Sequence, residues 1–167
     1  QSQTHGVGRG HLAYYQALDH LGQVEMLHTV RQLDEAERRW REAEIPADGS
    51  GPPIGVVLSM ESADPILDPD QVAEWHAAGL RMGSLSHYGT STYSHGTATE
   101  GGLLPPARPL IKALAAAGII IDVTHLTDEA HWELLSCYDG PICASHHNCR
   151  ALTPGQRQLT DDMILSI

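Results

Sequence analysis

The stretch that decides the fold is Gly118–His125, GIIIDVTH, read beside two segments built the same way, Gly79–His87 (GLRMGSLSH) and Gly140–His146 (GPICASH). Each opens on a glycine, continues as a short apolar run, and closes on a small hydroxyl residue followed by histidine. The glycine suits the left-handed position that ends a helix, and the apolar run suits a buried strand. The Gly-to-His separations are 8, 7 and 6 residues. A fourth apolar run, Ile54–Met60, ends at Glu61. The predicted strands are therefore Ile54–Met60, Leu80–Ser86, Ile119–Thr124 and Pro141–Ser145.

Helical segments alternate with these strands. Asp68-Pro69-Asp70-Gln71 opens one, with Asp68 as N-cap, Pro69 at the first helical position and Gln71 closing a capping box. Another spans about Ala107–Ala117, and Thr127 caps a third that runs to about Tyr138. Strand–helix alternation implies βαβ units and a parallel sheet with right-handed crossovers. An open doubly wound sheet and a closed barrel both fit four such units; the polar residues at the strand ends favour the barrel.

Upstream, His11–Glu44 reads as one long helix or two, with Leu18, Leu21, Met26, Leu27, Val30 and Leu33 near helical spacing. His5, His11, His20 and His28 read as ordinary residues of this amphipathic segment. Ile45–Pro53, IPADGSGPP, is a loop by its Pro and Gly content. The expected organisation is an N-terminal helical segment and linker, 1–53, followed by central βα units of a barrel, 54–167.

Four successive strands thus end in a group able to bind metal or move a proton: Glu61, His87, His125 and His146, separated by 26, 38 and 21 residues. In a parallel barrel the C-terminal strand ends converge on one mouth. Imidazole nitrogen and carboxylate oxygen are the usual ligands of a catalytic zinc. One histidine at a strand end is commonly just a hydrogen-bonded group; four donors at four consecutive ends are hard to ascribe to coincidence. Asp122 is expected to orient the site rather than ligate. His147, adjacent to His146, starts towards the opposite side of its strand. His95 sits in the polar loop YGTSTYSHGTATEGG (88–102), a lid position, and reads as a solvated loop histidine.

Composition narrows the function classes. The 167 residues carry 10 Lys plus Arg against 21 Asp plus Glu, a formal net charge of −11, which disfavours a nucleic-acid partner. No apolar run approaches the roughly 18 residues of a membrane span, and Gln1–Arg9 lacks a signal-peptide layout; a cytoplasmic location is the expectation. Cys137, Cys143 and Cys149 are odd in number and lack ligand spacing, so they read as buried or half-buried thiols.

From Gly55 onwards the chain resembles the membrane (renal) dipeptidase family of binuclear zinc peptidases. Met60-Glu61-Ser62-Ala63-Asp64 is similar to that family's Glu-Gly-Gly-His segment, Leu85-Ser86-His87 to its Leu-Thr-His, Ile121-Asp122-Val123-Thr124-His125 to its Asp-Leu-Ser-His, and Ala144-Ser145-His146 to its Phe-Ser-His. Gly101-Gly102-Leu103 resembles its Gly-Leu-Thr, and Arg157 falls where the family has an arginine. The resemblance implies a (β/α)8 TIM-like metallo-hydrolase barrel, of which this chain is a central portion. It implies two Zn2+ ions, with Glu61 bridging them and His125 and His146 ligating the second. It further implies a substrate contact for His87 and a grip on the substrate carboxylate for Arg157. The implied activity is hydrolysis of dipeptides or similar small amides by a zinc-bridged hydroxide.

Two departures stand out. Ser62, Ala63 and Asp64 replace Gly, Gly and His, and the 88–102 loop lacks the Asn-containing pattern of the animal enzymes; both suggest a divergent bacterial-type branch. The family's first-zinc His-x-Asp pair occurs nowhere in these residues, so the expectation is the middle of a longer polypeptide, inactive by itself, whose partners include the missing barrel segments. A homodimer is left open. The competing readings are another metal-dependent amidohydrolase, acting on lactams, lactones or N-acyl amino acids, and a barrel-derived binding module without turnover.

Overall fold

The computed structural model describes residues 2–44, 47 and 49–167. Its elements, in chain order, are α1 (Ser2–His20), β1 (Val24–Met26), α2 (Val30–Glu42), β2 (Ile54–Val56), β3 (Leu58–Met60), a 3-10 turn (Pro69–Gln71) leading into α3 (Val72–Ala77), β4 (Leu80–Ser84), α4 (Ala107–Ala117), β5 (Ile120–Asp122), α5 (Asp128–Leu135), β6 (Ile142–Cys143) and α6 (Asp161–Leu165). Of the loop read at Ile45–Pro53, Ile45, Pro46 and Asp48 lie outside the described residues.

The strands are parallel throughout and neighbour one another in chain order: β1 with β2, then β3, β4, β5 and β6. The predicted single strand Ile54–Met60 is divided at Val57, its first half pairing with β1 and its second with β4. That division lets one rail serve two neighbours. Consecutive right-handed crossovers with no reversal of strand order place every helix on the same face. A doubly wound sheet needs a reversal, and the described strands have none; this is barrel-type winding.

Three helix ends follow local chemistry. Asp68 Oδ1 accepts from Asp70 N at 2.9 Å, but Gln71 Oε1 reaches past the cap to Leu67 N at 2.9 Å, so the expected capping box closes one residue early. Gly118 adopts φ 70° and its N–H donates to the C-terminal carbonyls of α4, ending that helix as read from the sequence. Thr127 Oγ1 accepts from Ala130 N at 3.1 Å and opens α5, which stops at Leu135 rather than Tyr138.

The His11–Glu44 stretch differs from its helical reading. It holds two helices with β1 between them, and Val24–Met26 pairs in parallel register with Ile54–Val56. Helix α1 begins far upstream of His11 and runs through Gly6, Gly8 and Gly10; at Gly8 any Cβ would press on Pro65, so this glycine sets how closely the helix approaches. His5 is not merely a surface residue: its Nδ1 lies 2.7 Å from Pro65 O and its ring meets Trp75 edge-on.

The core joins these elements. Trp75 of α3, Leu80 of β4, Leu110 and Leu114 of α4, Ile121 of β5 and Leu134 of α5 are essentially fully buried. Burial of each such side chain is worth about 1.5–3 kcal/mol, and together they lock the strand ends in place. No described helix is long and apolar enough to cross a membrane. The three cysteines are half-buried free thiols, and burial, then the nearby Asp122 carboxylate, pushes Cys143 up to about 11.

Candidate metal centre

The predicted strands stop short of their histidines. β4, β5 and β6 end at Ser84, Asp122 and Cys143, so His87, His125 and His146 each stand three residues beyond a strand end, while Glu61 directly follows β3. The reason is visible at β5. Asp122 Oδ1 accepts from Thr124 N at 3.0 Å and from Ser145 N at 3.1 Å, replacing the sheet ladder by a side-chain bridge between two loops. His125 then turns with φ 72°, a left-handed conformation that costs a non-glycine residue about 1–2 kcal/mol.

The four groups converge on one atom. Glu61 Oε1 lies 2.9 Å from His125 Nε2, 3.1 Å from His146 Nε2 and 3.6 Å from His87 Nε2. The ligand atoms of Glu61, His125 and His146 all lie within 4.8 Å of one another. Donors about 2.1 Å from a tetrahedral ion would be spaced roughly 3.4 Å apart, close to the spacings seen. His87 stands just outside this triangle, its ring 4.4 Å from that of His125.

Each imidazole of the triangle is tethered through its far nitrogen. His125 Nδ1 lies 2.9 Å from Thr97 Oγ1, and His146 Nδ1 lies 2.7 Å from Ser145 Oγ. Both Nε2 atoms therefore face the Glu61 carboxylate, an arrangement of ligand atoms that suits a cation. The donor set fits a divalent metal of the zinc type. His125 is 3% exposed, whereas His146 and Glu61 are about half exposed, so the triangle opens to solvent on one side.

Burial first, then the positive charge of Arg157 and the neighbouring His87, depresses the His125 pKa; Glu61 opposes this without overcoming it. His147 is pushed down to about 4 by burial first and by Arg157 next. Both imidazoles are thus held neutral near pH 7. Asp122 behaves differently: burial alone would raise its pKa, but hydrogen bonds from Ser145 and Thr124 outweigh that and hold it below the usual carboxylate range.

Arg157 Nη2 donates to His146 O at 2.9 Å, and Nη1 is buried without a partner among the described residues. The guanidinium borders a cleft of about 380 Å³ with His146, His147, Asn148 and Gln158. His147 does not join the triangle; its Nδ1 lies 3.4 Å from Thr124 Oγ1. His95 is not a solvated lid residue. It is half-buried, its ring packs beneath Gly101, and its Nδ1 lies 3.2 Å from Thr90 Oγ1.

Three contributors escaped the sequence reading: Thr97, Ser145 and Tyr88, whose ring lies 5.2 Å from that of His125. Thr97 is brought in by the folded 88–102 loop, where Thr97 N bonds His87 O at 3.0 Å and Gly89 N bonds Thr97 O at 2.9 Å. A Ser/Thr-rich loop signals turns, not which hydroxyl reaches a ring. Ser145 carried a signal, standing directly before a candidate ligand as Thr124 does before His125.

Comparison with known proteins places this architecture. The chain is 32% identical over 123 residues to an uncharacterized protein in the PQQ-III 3' region of Acinetobacter calcoaceticus, a match covering 68% of this chain and 39% of that protein. An amidohydrolase from Pseudomonas aeruginosa superposes with a TM-score of 0.81 at 16% identity, over 94% of this chain and 46% of that one. A metallo peptidase from Rhodobacter sphaeroides, solved with a phosphinate mimic of the dipeptide L-Ala-D-Ala, superposes with a TM-score of 0.75 at 24% identity, over 93% and 43%. The chain thus spans less than half the length of these proteins, and its fold is part of a TIM-like metallo-hydrolase barrel. The model of the membrane dipeptidase family, peptidase family M19, matches residues 13–167, and the chain belongs to that family.

Proposed function

We propose that these residues form part of the active site of a metal-dependent hydrolase that cleaves dipeptides or similar small amides, with zinc as the metal. The observation that carries this reading is the meeting of Glu61, His125 and His146 on a single open triangle of ligand atoms. Membership of the dipeptidase family and the likeness to a metallo peptidase that binds a dipeptide mimic support it.

In this reading His125, His146 and Glu61 would hold one ion, the histidines through the Nε2 atoms that face the Glu61 carboxylate. Oε1 of Glu61 makes the contacts described, and the same carboxylate would also hold a second ion were one bound. When bound, the metal supplies a Lewis acid and an acidified water at neutral pH. His87 sits beside the triangle without closing on it, so its Nε2 is available to donate to the oxygen of a substrate carbonyl as negative charge develops there. Arg157, whose Nη1 has no partner among the described residues, offers a charge-assisted bond to a substrate carboxylate. Asp64 is spent on structure: its carboxylate takes Thr92 N at 2.8 Å and Ser62 Oγ at 3.0 Å, so it anchors the 88–102 loop at the pocket floor. The 167-residue stretch alone is expected to be inactive, because it offers no His-x-Asp pair.

The test is metal analysis of the full-length protein together with a panel of dipeptides, N-acyl amino acids and lactams. Activity lost on chelation and restored by zinc is the expected result, and dipeptides should be cleaved. A protein that binds no divalent metal, or that stays active after its removal, would overturn the proposal.

A further inference from the structure

We infer that Asp122 and Ser145 are positioning residues for His146, acting in series: the Asp122 carboxylate orients the Ser145 hydroxyl, and that hydroxyl dictates which His146 nitrogen is free to bind metal. The inference rests on the metal-centre reading above and adds two residues that act on it only through a ligand.

One proton, that of the Ser145 hydroxyl, sets the order of the bonds. Ser145 Oγ lies 2.5 Å from Asp122 Oδ2 and 2.7 Å from His146 Nδ1. A serine hydroxyl has a single hydrogen to donate. An ionised carboxylate can only accept, so at 2.5 Å the hydrogen belongs to the bond to Asp122. Ser145 Oγ must then accept from His146, which requires the proton on Nδ1. Nε2 is left with its lone pair, and Nε2 is the atom 3.1 Å from Glu61 Oε1. Thr124 Oγ1, 3.2 Å from Ser145 Oγ, can only add a donor to the same oxygen and does not disturb this order.

The backbone makes the arrangement rigid. Asp122 Oδ1 receives both Thr124 N and Ser145 N, so the carboxylate cannot rotate without breaking two further bonds. The His125 tether has no such direction: Thr97 Oγ1 can donate to or accept from Nδ1 at 2.9 Å. The polarity is built into the His146 arm alone. That arm needs it more, because His125 is held by burial while His146 stands about half exposed.

The experiment measures zinc affinity of the full-length protein by competition with a chromophoric chelator, with thermal melting of the metal-free protein as a fold control. Loss of such an outer hydrogen-bond partner commonly weakens metal binding 10–100-fold. Ser145→Ala should fall in that range, and Ser145→Thr, which restores the hydroxyl, should bind within about threefold of wild type on the same scale. Asp122→Asn should bind no better than Ser145→Ala, because an amide NH2 facing Ser145 would donate, turn the hydroxyl towards Nδ1 and favour the wrong tautomer. The double variant should be no worse than the weaker single one, since both act along one path. His146→Ala serves as reference. If His146→Ala abolishes zinc binding at this site while Ser145→Ala leaves affinity unchanged, or if Ser145→Thr is as weak as Ser145→Ala, the series is wrong and the metal reading survives. If His146→Ala also leaves zinc affinity unchanged, the metal reading itself falls, and this inference with it. Should Asp122→Asn fail to fold, the Ser145 pair decides alone.

Discussion

At the scale of single residues, the triangle separates groups by what holds them. His125 is locked by burial and Thr97, His146 by Ser145, while His87 lies 3.6 Å from Glu61 Oε1 with no hydrogen bond to it. His87→Ala should therefore leave zinc content unchanged, measured by elemental analysis, and lower kcat by about 100–1000-fold, the usual loss of one oxyanion donor. Zinc lost in proportion to rate would instead make His87 a ligand. Arg157 Nη1 is buried with no partner among the described residues. A charged hydrogen bond is worth about 1.5–3 kcal/mol, so Arg157→Ala should raise KM roughly 10–100-fold for substrates with a free carboxylate. An equal rise for their C-terminal amides would count against this role.

At the scale of elements, short hydroxyl-bearing junctions do the aiming. Thr127 Oγ1 accepts Ala130 N at the start of α5 and donates to Gly101 O at 2.6 Å, tying the end of the 88–102 loop to the helix. Thr127→Ala should cost about 1–2 kcal/mol, a cap loss at the upper end of its range, read from urea unfolding with unchanged slope. Gly96 lies against the carbonyl oxygens of His87 and Gly89, where a Cβ would collide with both. Gly96→Ala should therefore loosen the loop carrying Thr97, and a crystal structure of the variant should show the Thr97–His125 contact lengthened. An unshifted loop with full zinc affinity would show that it merely covers the site.

At the scale of the whole molecule, a buried histidine on α5 makes stability depend on pH. His131 is fully buried, its Nε2 lies 2.9 Å from Ser166 Oγ, and Nδ1 has no partner among the described residues. Burial depresses its pKa below 6.5, and the Asp128 carboxylate, itself paired with Arg150, only partly offsets this. Between that depressed folded value and the unfolded value near 6.5, the unfolded chain binds the extra proton. Its contribution is thus complete above about pH 6.5 and lost as pH falls through the folded pKa. Melting temperatures measured from pH 7.5 downwards should decline, and His131→Gln should flatten the decline; an identical slope in the variant would assign it to other groups. The outer edge of β6 is unpaired among the described residues, and Leu152, 84% exposed, lines the same cleft as Ile142 and Cys143. Residues 1–167 expressed alone should therefore self-associate in light scattering.

What the sequence determined by itself was the rhythm of strands and helices from Ile54 onwards and the order of Glu61, His87, His125 and His146 along it. Those signals are local: a glycine that ends α4, a threonine that caps α5, an apolar run that cannot remain in water. The close approach of the four groups to one atom followed from parallel strand ends meeting at one face, a consequence of the winding that sequence already implied. Only the tertiary structure decided the rest. The strand Val24–Met26 hides in a helical pattern because three residues carry too little periodicity, and pairing with Ile54–Val56 overrides local preference. The tethers Thr97–His125 and Asp122–Ser145–His146 join residues far apart along the chain, 28 apart in one case and 23 for the Asp122–Ser145 pair. Hydroxyls in a polar loop look alike along the chain, and which of them reaches an imidazole is settled only when the loops pack.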